Sequence, residues 1–170
     1  MKRLLSTAAL VCAIVAPACI AAPSQILSTD LSGADLTFFS GASQQIALVA
    51  GLSAMARDRA ITPEIKDLAA GIATDQAAAA AHLKDLATRK QVPIDAEVDG
   101  AGKKQLQSLS KLKGAKFDKT YLDLLSDALD NLQQSLDPGS ASTDADIKSL
   151  AQSSLATVKQ ERDRLRKLGI

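Results

Sequence analysis

The chain has 170 residues, enough for one domain with a core of its own. Its 20 basic and 19 acidic residues leave a net charge of +1, and its aromatic residues are three Phe and one Tyr, with no Trp. That balance excludes the electrostatic footprint of a nucleic-acid binder and the aromatic platform of a base- or sugar-stacking site.

Met1-Lys2-Arg3 is a short basic start, residues 4–15 form a mostly apolar run, and Pro17-Ala18-Cys19-Ile20-Ala21-Ala22 supplies small residues. The run is too short to span a bilayer. Together these features predict a secretory signal peptide over residues 1–22, cut after Ala21 or Ala22. Removing Lys2 and Arg3 leaves 18 cations against 19 anions. Both cysteines, Cys12 and Cys19, leave with the signal, so the mature chain has no disulfide, thiolate nucleophile or sulfur ligand. The expected location is the periplasm or the medium, with no transmembrane helix in the mature chain. A lipid anchor on Cys19 is the competing arrangement; Ala18 suits it, Ala16 and Pro17 do not.

Residues 23–32 read as a flexible lead without clear periodicity. Ser32-Gly33-Ala34-Asp35 has the Ser-x-x-acid form of a capping box, which predicts a first helix with an inward stripe of Phe38/Phe39, Ala42, Ile46, Val49, Leu52 and Ala56. It ends near Arg59. Thr62-Pro63-Glu64 starts a second helix: Thr62 can cap free amides, Pro63 suits the first turn, and Glu64 complements its positive end. Its stripe is Ile65, Leu68/Ala69, Ile72, Gln76, Ala79, Leu83 and Leu86, and Val92-Pro93 stops it. Ala77–Ala81 read as a smooth surface that lets neighbouring helices approach.

Residues 92–102 form a connection. A short helix is expected over about 102–112, ended by Gly114. Another long helix covers about 116–136, with Phe117, Tyr121, Leu124/Leu125, Ala128/Leu129, Leu132 and Leu136 inward, and Asp137-Pro138-Gly139 closing it. Thr143-Asp144-Ala145-Asp146 offers the next capping box. The last helix carries Ile147, Leu150/Ala151, Leu155, Val158, Glu161/Arg162, Leu165 and Leu168. No strand pattern occurs. Short links within each helix pair and a long link between the pairs predict an all-α, ferritin-like antiparallel four-helix bundle over residues 33–170, with one long crossover connection carrying a short helix.

Three segments carry a family resemblance: Asp35-Leu36-Thr37-Phe38-Phe39, Ile65-Lys66-Asp67-Leu68-Ala69 ahead of Asp75, and Phe117-Asp118-Lys119-Thr120-Tyr121-Leu122. Over residues 33–168 the chain resembles the DUF4142 family, with Phe-Asp-x-x-Tyr as the most specific element. The resemblance implies an exported bacterial protein with a ferritin-like four-helix domain. It also implies ligand-type residues that this chain replaces. Asp75-Gln76 stands where the family pattern has Asp-His. Ala128-Leu129 and Lys159-Gln160-Glu161 lack the expected histidines, and Gln44-Gln45 lies where a Glu is frequent.

A di-iron carboxylate bundle needs a Glu from each of two helices and Glu-x-x-His from the other two. No Glu-x-x-His occurs, and the single histidine, His82, sits one position off its helix stripe. Gln45, Gln76 and Glu161 fall on or beside the stripes of three helices, with Asp75 at a stripe edge. As a metal site this set would offer hard oxygens suited to Ca²⁺ or Mg²⁺. As a structural feature it is a hydrogen-bonded polar layer, and too few charges converge on it to hold a desolvated cation. No serine has a histidine base in any motif, and no glycine-rich phosphate loop occurs. The charge-rich Lys159–Lys167 reads as a solvated helix face. The reading is therefore an exported, non-enzymatic helical-bundle module for an envelope or stress-related role. It has no catalytic residue, no cofactor and no metal, and its partner is a protein or envelope component. The rival is a ferritin-like metal-binding protein or oxidoreductase with a reduced polar site around Gln45, Gln76 and Glu161.

Overall fold

The computed structural model describes residues 31–168, so the expected signal segment, its cysteines and most of the expected lead lie outside the described residues. Five helices follow one another: α1 (Gly33–Arg59), α2 (Pro63–Arg89), α3 (Gly100–Ser110), α4 (Gly114–Ser140) and α5 (Ala145–Arg166). No strand occurs among the described residues. α1 packs on α2 and α4, α4 packs on α5, and α2 closes the ring against α5 along the sparsest of the four seams.

The starts of α1 and α5 are capped locally, and that of α2 is held from a distant residue. At α1 the capping box is complete: Asp35 N–H donates to Ser32 Oγ at 3.1 Å, and Ser32 N–H donates to Asp35 Oδ2 at 2.9 Å. At α2 the Thr62 hydroxyl is engaged elsewhere and makes no cap. It donates instead to Asp118 Oδ2 on α4 at 2.6 Å, and the same carboxylate accepts the backbone N–H groups of Ile61 at 3.1 Å and Thr62 at 3.0 Å. At α5 the cap is Asp144 rather than Thr143, its Oδ1 accepting from Asp146 and Ile147.

The helix ends depart further from the sequence-based expectation. α2 stops at Arg89, before Val92-Pro93, because Gln91 takes φ +56°. Val92 N–H then reaches Ala87 O at 2.9 Å and Gln91 N–H reaches Thr88 O at 3.2 Å, the hydrogen-bond pattern of a Schellman cap. Gly114 does not end α3; it opens α4 at φ +61°, a conformation that favours glycine. Asp137-Pro138-Gly139 does not close α4, which continues to Ser140 with Pro138 in its last turn. Gly139 is buried there against Phe38: a methyl added to it would lie 2.5 Å from Phe38 Cδ2. The close approach of that ring holds the chain in place and requires glycine.

Lateral contacts fix the topology. Asp95 O accepts from Ser43 Oγ at 2.8 Å, Gly102 lies against Leu48, Gly51 against Leu106, and Arg59 donates to Ser110 O at 2.8 Å and Leu112 O at 3.0 Å. The connection thus climbs along α1 from Ser43 to Arg59, parallel to it, and α4 starts beside the α1 C-terminus. All four bundle neighbours are antiparallel. This is the crossover of a ferritin-like bundle. The core holds the predicted stripe residues Phe38, Phe39, Leu52, Ile72, Leu86, Phe117, Tyr121, Leu125, Leu129, Leu132 and Leu136.

Candidate functional site

One buried polar pair lies on the α2–α5 seam. Gln76 and Glu161, both fully buried, sit on those two helices 85 residues apart in sequence. Gln76 Nε2 donates to both Glu161 carboxylate oxygens at 2.9 Å. Gln76 Oε1 is buried and accepts nothing from any described residue. Burial pushes the Glu161 carboxyl up to about 7; Asp75 raises it further, while the Gln76 hydrogen bond and the Arg164 guanidinium oppose the rise. Next along the seam, Arg164 Nη1 pairs with Asp75 Oδ2 at 3.0 Å on the partly exposed side.

Toward α4 the seam meets Tyr121, whose hydroxyl lies 3.4 Å from Ser53 Oγ on α1. Burial pushes that phenol up to about 12. The four sequence candidates therefore part company. Gln76 and Glu161 are hydrogen-bonded directly, and Asp75 pairs with Arg164 beside them. Gln45 is separate: no hydrogen bond ties it to the others, and its buried Oε1 is also without a donor. His82 is exposed and lies at the edge of the seam. Among the described residues no group of three or more His, Cys, Asp or Glu is arranged to hold a metal ion. The sequence reading missed Ser53 and the Tyr121 hydroxyl as a polar pair, although Ser53 stands four residues after Val49 on the α1 stripe.

Two clefts flank α2 at this level, and Gln76 lines both. One, of about 230 Å³, opens between α2 and α5. The other, of about 260 Å³, opens between α2, α1 and the crossover, and is walled largely by alanines and Ile94. Ala77, Ala78, Ala80 and Ala81 are exposed, so the alanine run does not serve helix approach as expected from the sequence; it leaves open clefts. Chemically, the pair is one carboxyl that titrates near neutrality against a neutral amide, with the Asp75 carboxylate, the Tyr121 phenol and the exposed His82 imidazole at its margins.

Residues 21–168 match the family described as "Domain of unknown function (DUF4142)". The chain belongs to the DUF4142 family. Its Phe-Asp-x-x-Tyr element now has a structural meaning. Phe117 lies under the Arg59 guanidinium at 5.2 Å, Asp118 ties down the α1–α2 turn, and Tyr121 reaches Ser53. A solved DUF305 protein from Streptomyces coelicolor, named as a candidate secreted protein, is similar to this DUF4142 chain. It is 20% identical over 79% of this chain and 89% of its own, with a TM-score of 0.67. At that identity the likeness is one of fold. No curated protein matches the chain.

Proposed function

We propose that this DUF4142 protein is an exported, non-enzymatic helical-bundle module that acts by binding in the cell envelope. The observation that carries the reading is the Gln76–Glu161 pair: the buried carboxylate of the seam faces a neutral amide, where a redox metal centre would need imidazole or further carboxylates. The basic start, apolar run and small residues of positions 1–22 support export, and no described helix is long and apolar enough to cross a membrane. The rival reading, a reduced oxygen-ligand site, draws on the two buried amide oxygens without donors, Gln45 Oε1 and Gln76 Oε1.

One preparation tests both. Untagged protein recovered from the periplasm should begin near Ala22 or Pro23 by mass analysis and carry no stoichiometric iron, zinc or manganese. An N-terminus at Met1 would defeat export, and a lipid on Cys19 would replace free release with anchoring. Stoichiometric metal that disappears with Glu161→Gln would establish the rival.

A further inference from the structure

The near-zero net charge hides a segregation of charge between the two ends of the bundle. At one end lie the α1–α2 turn and the α3–α4 corner. Lys111 is the C-cap of α3, Lys113 is the N-cap of α4, and Lys116 lies in the first turn of α4. All three are exposed, and among the described residues no carboxylate pairs with any of them. The first turn of α4 carries no acid. The nearest carboxylates are engaged elsewhere: Asp58 with Arg57, Asp123 with Lys119, and Asp118 in the α1–α2 turn. Glu64 and Asp67 line a hollow on the α2–α5 side, together with Arg164 and Lys167. Beside the lysines stands Ile61, which at 61% exposure is the most open large apolar side chain of the described residues. Its N–H donates to Asp118, just past Lys116 on α4, at 3.1 Å, and Arg59 holds the α3–α4 corner through Ser110 O and Leu112 O. The isoleucine and the lysines are thereby fixed at one corner. Asp137, Asp144 and Asp146 stand at the opposite end, around the α4–α5 turn.

We infer that this corner docks the protein on an anionic phospholipid surface, with Lys111, Lys113 and Lys116 over the headgroups and Ile61 entering the boundary beside them. Each lysine near an anionic leaflet strengthens binding about fivefold, and one inserted apolar side chain adds about tenfold. A soluble polyanion would use the lysines but has no use for a bare isoleucine, so the pairing of the two favours a bilayer. The carboxylates at the opposite end orient the field of the molecule the same way. No described helix is long and apolar enough to cross a membrane, so the attachment is peripheral. The inference rests on the envelope role proposed above and names its partner surface.

The test is co-sedimentation of the purified protein, its N-terminus established by mass, with two kinds of vesicle: phosphatidylcholine alone, and phosphatidylcholine with an equal part of phosphatidylglycerol. At about 0.1 M salt the protein should favour the anionic vesicles at least about tenfold, and about 1 M salt should remove the preference. Replacing Lys111, Lys113 and Lys116 together by Gln should weaken binding to the anionic vesicles by at least about twentyfold. Replacing Lys84, Lys148 and Lys159 by Gln changes the net charge equally on exposed positions of α2 and α5 away from the corner, and should leave most of the binding. Ile61→Ser should weaken it several-fold. All these positions are exposed, so the melting temperature should hold in every variant. Equal binding to both vesicles, a loss as large in the control triple variant, or binding indifferent to Ile61→Ser each overturns the proposal. So does capture by inorganic polyphosphate in place of vesicles. Vesicle binding is scored on purified protein and export by the N-terminus, so either can fail alone.

Discussion

Glu161 is the residue whose setting departs furthest from ordinary solution behaviour. Its carboxyl, raised from 4.5 to about 7 chiefly by burial, faces Gln76 and Asp75 from α2, Tyr121 from α4 and Arg164 from its own helix. Because the folded state holds the proton more tightly than the unfolded chain does, the stabilising contribution is complete below about pH 4.5. It is lost as pH rises through about 7. Glu161→Gln removes this dependence and supplies an amide that can pair reciprocally with Gln76, including its free Oε1. Urea unfolding should find the variant more stable than the parent by about 1–3 kcal/mol above neutrality, with the difference shrinking toward pH 4.5. A variant that is weaker at alkaline pH would show that the charged form stabilises the seam. The stripe positions of Gln76 and Glu161 were legible from helical spacing, because a residue on an apolar face must go inside. Their direct bond was not, since spacing along one helix says nothing about register against another. Gln45 shows the limit: its place beside a stripe gave no sign that it lies apart from the other two.

Among the elements, the α1–α2 turn depends on α4 more than on its own sequence. Asp118 accepts two backbone N–H groups and the Thr62 hydroxyl, with the carboxylate buried. Asp118→Ala would leave those donors unpaired and should cost about 2–3 kcal/mol in thermal or urea unfolding. Thr62→Val, which removes one of the three, should cost clearly less. Equal costs would mean that the hydroxyl contact carries the clamp. Helix starts were read well from sequence wherever the cap is local, as at Ser32 with Asp35. At Thr62 the start was placed correctly, with Pro63 first and Glu64 in the first turn, but the capping bond was misread, because a partner 56 residues away takes the hydroxyl from the local amides. Helix ends fared worse for a similar reason. Pro138-Gly139 has the chemistry of a stop, yet a glycine that the Phe38 ring must approach closely serves tertiary packing before local punctuation. Gln91 ends α2 in a left-handed conformation with no glycine to announce it.

At the scale of the molecule, the bundle was legible from four apolar stripes and one long link. Leu83 on α2 and Leu129 on α4 lie in its core with almost no exposure. Leu83→Ala and Leu129→Ala should each cost about 2–4 kcal/mol, read as a shift in the urea midpoint of a strongly helical circular dichroism signal. Unchanged midpoints, or substantial strand content, would be incompatible with the packing described. The openness of the α2–α5 seam could not be read from the sequence. Alanine is a good helix former that suits both tight packing and bare surface, and only the placement of α5 decides between them.

Tyr121 is the one tyrosine of a chain without tryptophan. It lies fully buried where α1 and α4 meet, its hydroxyl beside Ser53 and its ionisation held up to about 12. The protein thus contains its own optical reporter at the centre of the fold. Near-ultraviolet emission on unfolding comes from a single known site, without label or substitution. In base, the folded phenol resists ionisation while the unfolded one yields at about 10, so the tyrosine's contribution to stability is lost as pH climbs from about 10 toward 12. Phenolate absorbance and loss of helical ellipticity should then rise together in an alkaline titration, in one cooperative step. Phenolate that forms well before the helices melt would mean that the core around Tyr121 admits water while the bundle stands.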